Sequence, residues 1–224
     1  MKVLHISDTH GYHDLLSIQD DIDMVIHSGD AANYRDPYTN EAEMWKFLDW
    51  YAAVPVRHKI YVPGNHDSSI FHGLIKPERF RDRGIHCVID QSIEIDGVKL
   101  WGSPWTPTFG NWSYNRDRSK LNKLWMTIPD DTDVVITHGP PMGVLDLSRN
   151  AQGELEMCGC SALKKRVLVI QPRYHLFGHI HNYDNIINAG QTQLSGYKTV
   201  FSNASVVTDG RFGQLSSRGY IFDL

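Results

Sequence analysis

The sequence is poor in cysteine, in long apolar runs and in positive charge, and each shortage removes a class of protein. Three cysteines, Cys87, Cys158 and Cys160, are too few and odd in number for a disulfide framework. Cys158-Gly159-Cys160 has no second cysteine pair beside it, so ordinary thiols are expected rather than a metal knuckle. No stretch approaches the roughly 18 consecutive apolar residues of a membrane span. The opening MKVLHISDTH has no apolar signal core, and a cytoplasmic protein without a membrane partner is the expectation. Lysine and arginine number 22 against 26 acidic residues, a formal charge of −4, with no basic stripe. Proteins that grip long nucleic acids neutralise phosphates with such stripes, so no extended nucleic-acid partner is expected.

What is present is an ordinary globular composition, 41% hydrophobic over 224 residues, enough for one core and one domain spanning 1–224. Apolar runs at 2–7, 24–27 and 59–62 read as strands, each ending in a polar loop that contains glycine. Helices are expected between them, at 14–20 and at 41–53, where Met44, Trp45, Phe47 and Leu48 fall at helical spacing. Strands are expected again at 85–89, 92–95 and 98–102, with Asp96-Gly97 as a hairpin turn. A helix at 118–127, a strand at 133–137, a helix at 161–170 and a strand at 174–177 follow. Short strands at 186–187, 199–202 and 220–223 close the chain. Such alternation predicts an α/β fold with largely parallel central strands, whose carboxyl-end loops gather functional groups.

Those loops carry Asp8, His10, Asp30, Asn65, His66, Asp67, His138, His179 and His181, five of the 12 histidines among them. Taken singly, an aspartate after a strand is usually a turn former or helix cap, and a lone histidine an ordinary side chain. Taken together, carboxylate, imidazole and amide without thiolate suit hard or borderline divalent cations. The aromatic stretch 101–115, with Trp101, Trp105, Phe109, Trp112 and Tyr114, either stacks a flat substrate or packs a long loop. Trp112, Asn111 and Asn115 are its candidate substrate contacts. His5, His13, His27, His58, His72, His86 and His175 are read as structural, and Asp146 and Arg149 are left between site and surface.

The order Asp8-x-His10, Gly29-Asp30, Gly64-Asn65-His66-Asp67, His138-Gly139, Gly178-His179-x-His181 resembles the calcineurin-like metallophosphoesterase signature. Gly102-Ser103-Pro104-Trp105, Pro140-Pro141, Asn203-Ala204-Ser205 and the closing Phe222-Asp223-Leu224 extend the similarity to the small metallophosphoesterase-domain proteins related to cyclic-nucleotide phosphodiesterases. The resemblance implies a single-domain sandwich of two mixed β-sheets flanked by helices. It implies one metal on Asp8, His10, Asp30 and His181, and a second on Asp30, Asn65, His138 and His179. The protein Ser/Thr phosphatase branch is disfavoured because Ala31-Ala32-Asn33 follows Asp30 and Pro63 precedes Gly64. The purple acid phosphatase branch expects tyrosine where Asn33 stands.

The chemistry expected is hydrolysis of a small phosphodiester, cyclic nucleotides or nucleotide-like diesters foremost, by a hydroxide bridging two divalent ions. Manganese is the first choice of metal, with iron, zinc, cobalt or nickel also suited to these donors. His66 is the expected proton donor, with Asp67 holding its tautomer; a structural His66 is the plainer alternative. A nuclease or phosphomonoesterase on the same metals is the rival enzyme, and a non-catalytic scaffold the rival of another class. Oligomeric state is left open.

Overall fold

Strand faces assort the side chains here before any loop does, because successive residues of a strand point to opposite sides. The computed structural model describes residues 1–208 and 213–224. Along it run β1 (Lys2–Ile6), β2 (Met24–His27), α1 (Pro37–Ala53), β3 (His58–Tyr61), α2 (Ser68–Phe71), α3 (Pro77–Arg81) and β4 (His86–Cys87). The hairpin strands β5 (Gln91–Ile95) and β6 (Val98–Ser103) come next, then β7 (Thr106–Pro107), β8 (Asn115–Arg116), α4 (Arg118–Trp125) and β9 (Val134–Thr137). A small hairpin, β10 (Leu147–Arg149) and β11 (Leu155–Met157), precedes α5 (Ser161–Ile170), and β12 (Tyr174–Phe177) follows it. Last are β13 (Gly190–Gln193), β14 (Val200–Asn203) and β15 (Tyr220–Asp223).

Two mixed sheets result, ordered β15-β1-β2-β3-β4 and β13-β14-β12-β9-β6-β5. In the first, β1 to β4 pair in parallel and β15 lies antiparallel at the edge. In the second, β14, β12, β9 and β6 are parallel and both edge strands antiparallel. Met24, Ile26 and Ile60 pack against Leu100, Val134, Ile136 and Leu176, which fills the space between the sheets. The intervening Val25 and Tyr61 meet Phe47, Leu48 and Tyr51 of α1 on the outer face. On the other side Trp101, Val135 and Phe177 meet Leu121, Trp125, Leu163 and Val167 of α4 and α5. The molecule is a four-layer single domain, helices outside and two sheets inside, as the family resemblance implied.

Some local expectations need correction. Residues 14–20 form no α-helix; a 3₁₀ turn over His13–Leu15 ends where Leu16 becomes extended. So short a segment has little to offset the cost of nucleating a helix. Helix α1 starts earlier than expected, because Asp36 caps Thr39 N–H at 2.9 Å and Pro37 occupies the first turn. Residues 186–187 make an isolated bridge from Tyr183 to Ile186, not a strand. The buried Asn188 amide instead binds Leu147 and His181 carbonyls, and the edge strand forms at the polar segment β13. The Asp96-Gly97 turn is as expected, with φ of 51° and 79°.

Candidate metal centre

All five parallel strands that carry motif residues, β1, β2, β3, β9 and β12, deliver them from their carboxyl ends to one edge of the sandwich. The loops are bent sharply: Asp8, His10, Asp30 and His179 have φ of 53°, 42°, 58° and 71°. Non-glycine residues rarely adopt this left-handed region, and such residues concentrate at functional sites. Backbone bonds lock the bends, Asp8 N–H to Gly29 O at 2.8 Å and His10 N–H to Asp30 O at 3.1 Å. Two glycines make room. A Cβ on Gly64 would fall on the Asp30 carboxylate, and one on Gly178 on the Asp8 carboxylate and the Ser7 hydroxyl.

The donor atoms converge. His181 Nε2 lies 3.1 Å from Asp8 Oδ1, His138 Nε2 3.3 Å from Asp30 Oδ2, and His10 Nε2 3.9 Å from Asp30 Oδ2. Asn65 Oδ1 is 2.9 Å from His138 Nε2. Three overlapping groups have ligand atoms within 4.8 Å of one another: Asp8, His10 and His181; His10, Asp30 and His66; Asp30, His138 and His179. His10 Nδ1 sits 3.0 Å from Ala32 O and His138 Nδ1 2.9 Å from Ser28 O. A carbonyl can only accept, so both Nδ1 atoms carry a proton and both Nε2 atoms are turned to the site. Among the described residues the ion-pair partners of the buried Asp8 and Asp30 are histidines. Two buried carboxylates without lysine or arginine, facing imidazole lone pairs and an amide oxygen, fit divalent cations.

The electrostatics follow. Burial opposes ionisation of Asp8 and Asp30, yet neighbouring histidines hold both carboxyls well below the usual range. Burial pushes His10 down to about 4 and His179 down to about 3, which keeps their lone pairs free. His138 differs: against the effect of burial, the Asp30 carboxylate draws it up to about 9 in the metal-free chain.

The structure brings every expected ligand to this edge and places the other candidates as follows. His66 lines the cavity, its Nδ1 2.9 Å from Asn33 O and its backbone N–H 2.7 Å from Asp30 Oδ1. Asp67 does not hold the His66 ring, contrary to expectation. Its carboxylate accepts from the backbone N–H groups of Asp30, Ala31, Ala32 and Gly64 and from Tyr61 Oη at 2.6 Å, so it ties two ligand loops together. Burial and the nearby Asp30 carboxylate push it up to about 6. Trp112 and Phe109 complete the wall of a cavity of about 160 Å³ whose lining also includes His10, Asp30, Asn65, His179 and His181. Asn111 and Asn115 are not among that lining; Asn115 binds Phe109 N–H and Thr106 Oγ1 within its own loop.

The aromatic stretch divides. Trp101 is buried against Trp125, Tyr114 against Phe71, and Trp105 lies under Arg116. Of the histidines read as structural, His5, His27 and His175 are fully buried beside Ser28, Thr9 and Thr137. Asp146 is buried and holds the Gly143 and Gly159 N–H groups, while Arg149 is exposed. All three cysteines are free, and Cys160 accepts from Trp125 Nε1. No helix among the described residues is long and apolar enough to cross a membrane.

Sequence reasoning did not assign Ser205 a role. Its hydroxyl donates to Asp8 Oδ2 at 2.8 Å, and Asn203 Nδ2 holds Ile180 O at 2.9 Å. Asn33, whose carbonyl holds the His66 ring, and its neighbours in the segment after Asp30 were also missed. The one available signal was their nearness in sequence to Asp30.

Two sheets delivering carboxylates and histidines to one edge define a candidate metal centre. The calcineurin-like phosphoesterase family model matches residues 1–183. The chain belongs to the calcineurin-like phosphoesterase family, whose members support metal-dependent phosphoester hydrolysis. It is 33% identical to a UPF0046 protein of Caenorhabditis elegans, over 99% of this chain and 74% of the relative. It is 32% identical to human metallophosphoesterase domain-containing protein 1, over 91% of this chain and 65% of the relative. It thus spans just under two thirds of the human protein's length. A solved crystal structure, 15% identical, superposes with a TM-score of 0.68 over 91% of this chain and 90% of its own, a likeness of fold.

Proposed function

We propose that the chain hydrolyses small phosphodiesters of nucleotide type, with two divalent cations sharing Asp30 and with His66 protonating the departing alkoxide. Asp8, His10 and His181 would hold one cation with Asp30, and Asn65, His138 and His179 the other. When bound, the cations would polarise the phosphate and bring the pKa of an attacking water toward neutrality. Manganese is the first choice, and iron, zinc, cobalt or nickel suit the same donors.

The observation that carries the donor role is the His66 ring. Its Nδ1 is committed to the Asn33 carbonyl, so Nε2 is the nitrogen left to gain and lose a proton at the cavity wall. Each cation would have four donors without it. The diester reading follows the resemblance to the small metallophosphoesterase-domain proteins. Among the described residues the cavity lining contains no lysine or arginine, so the phosphate charge would be met by the bound cations. A cytoplasmic setting and a small-molecule substrate belong to the same proposal.

The test is a manganese-loaded panel of 2′,3′- and 3′,5′-cyclic nucleotides, linear diesters and monoesters. Turnover of diesters is expected; activity confined to monoesters would overturn the diester reading, and none with any metal would favour a scaffold. His66→Ala should cost about 10²–10⁴ in rate on a diester with an alkoxide leaving group. A nitrophenyl diester, whose leaving group needs no proton, should suffer less, and equal losses would exclude the donor role.

A further inference from the structure

One nitrogen held by one carbonyl leaves an imidazole free to swing about that bond, so a proton donor needs a second restraint. Trp112 supplies one. Its ring centroid is 4.2 Å from that of His66, with the planes 33° apart. The indole is itself held. The Arg35 guanidinium lies 4.1 Å from the Trp112 ring centroid, and Arg35 Nη2 donates to the carbonyl of Asn111, the preceding residue. A cation over an indole face is the strongest such pairing among the aromatic side chains.

Arg35 and Asn33 belong to one short segment, and that segment is fixed. Glu43 Oε2 accepts from Asn33 N–H at 2.8 Å and Tyr34 N–H at 2.9 Å. Asn40 Nδ2 donates to Tyr34 O at 2.8 Å and to His66 O at 2.6 Å. The carbonyl that orients His66 and the guanidinium that holds its aromatic neighbour therefore share one support at the start of α1.

We propose that Trp112, clamped by Arg35, is the positioning residue that holds His66 in its proton-donating orientation. The inference rests on the donor role of His66. It makes Trp112 a support of the donor rather than a free platform for substrate. It also joins two parts of the chain, 33–35 and 111–112, across the mouth of the cavity.

The experiment compares a cyclic nucleotide, whose leaving group is a ribose alkoxide, with a nitrophenyl diester, on manganese-loaded protein. Trp112→Ala should lower kcat on the cyclic nucleotide by roughly 10- to 100-fold, the scale of a misplaced catalytic group. It should leave the nitrophenyl diester within about threefold, since that leaving group needs no acid. Arg35→Ala should give the same selectivity in smaller measure, and Trp112→Phe should restore part of the rate by keeping a ring against His66. Added to His66→Ala, Trp112→Ala should cost nothing further. Metal content and melting temperature are read alongside, and both should match wild type.

Equal losses on the two esters, or a loss that adds to that of His66→Ala, would overturn the inference, because a residue that merely binds substrate or supports the fold behaves so. If His66→Ala is itself unselective between the esters, the donor reading falls and this inference with it. A selective His66→Ala beside an unselective Trp112→Ala overturns the positioning role alone.

Discussion

The floor and the roof of the cavity are built by different physics. The floor is made of strand ends, its side chains are polar and buried or half-buried, and His10 and His138 are fixed by hydrogen bonds to backbone carbonyls. The roof is one loop, residues 107–115, which lays Phe109 5.0 Å from His179 and Trp112 4.2 Å from His66. Its contacts are ring faces and one guanidinium, and Phe109 is 40% exposed. On the proposed function, the difference separates two roles: the floor would determine whether metal binds, and the roof how well bound substrate is used.

The largest effect should come from the floor. Asp30→Ala removes the carboxylate that stands between both donor groups, and activity on every ester should fall to the limit of detection in a steady-state assay. Substantial remaining activity would mean that the donor groups work independently.

Acid should strike the floor next. Burial drives His5, His27 and His175 each down to about 3, whereas an unfolded histidine titrates near about 6.5. Between these values the unfolded chain takes up protons that the folded chain refuses. Their contribution to stability is complete above about pH 6.5 and is lost as pH falls toward about 3. Each group can cost up to about 1.4 kcal/mol per pH unit in that window. Urea midpoints measured across it should fall steadily, and a flat profile would contradict the neutral burial of these rings.

Asp67→Asn should be smaller. It sets an NH₂ group among four backbone donors and Tyr61 Oη, at a cost of about 2–3 kcal/mol. Thermal unfolding reads this directly, with activity lost on both esters alike because the Asp30 loop loosens. Selective loss on the alkoxide ester would instead restore Asp67 as the partner of His66.

The smallest effect belongs to the roof. Phe109→Ala removes one ring contact worth about 0.5–1.5 kcal/mol, so KM should rise by roughly 2- to 10-fold with metal content unchanged. Loss of metal in this variant would erase the distinction between roof and floor.

The same division explains what could be read from the sequence. Floor residues follow apolar runs within a few positions, so pattern alone places Asp8, Asp30, Asn65, His138 and His179 at strand ends. The alternation of strands and helices made a layered α/β fold legible for the same reason, whereas the sandwich of two mixed sheets was implied only by the family resemblance. Asp67 was misassigned because adjacency to His66 suggested a pair. Its backbone, at φ −87° and ψ 56°, instead sends the carboxylate to the Asp30 loop. The roof was legible only in part: Trp112 was marked as a candidate contact and does line the cavity, but Arg35 and Asn111 meet across a separation of 76 residues, with no periodicity to announce it. Ser205, 197 residues from Asp8, was equally hidden.

The central claim, a two-cation site joined at Asp30, is tested most directly by metal analysis of wild-type and Asp30→Ala protein after manganese loading. Two ions per folded chain are expected in the wild type and close to none in the variant. One ion in the wild type, or two retained without Asp30, would contradict the account.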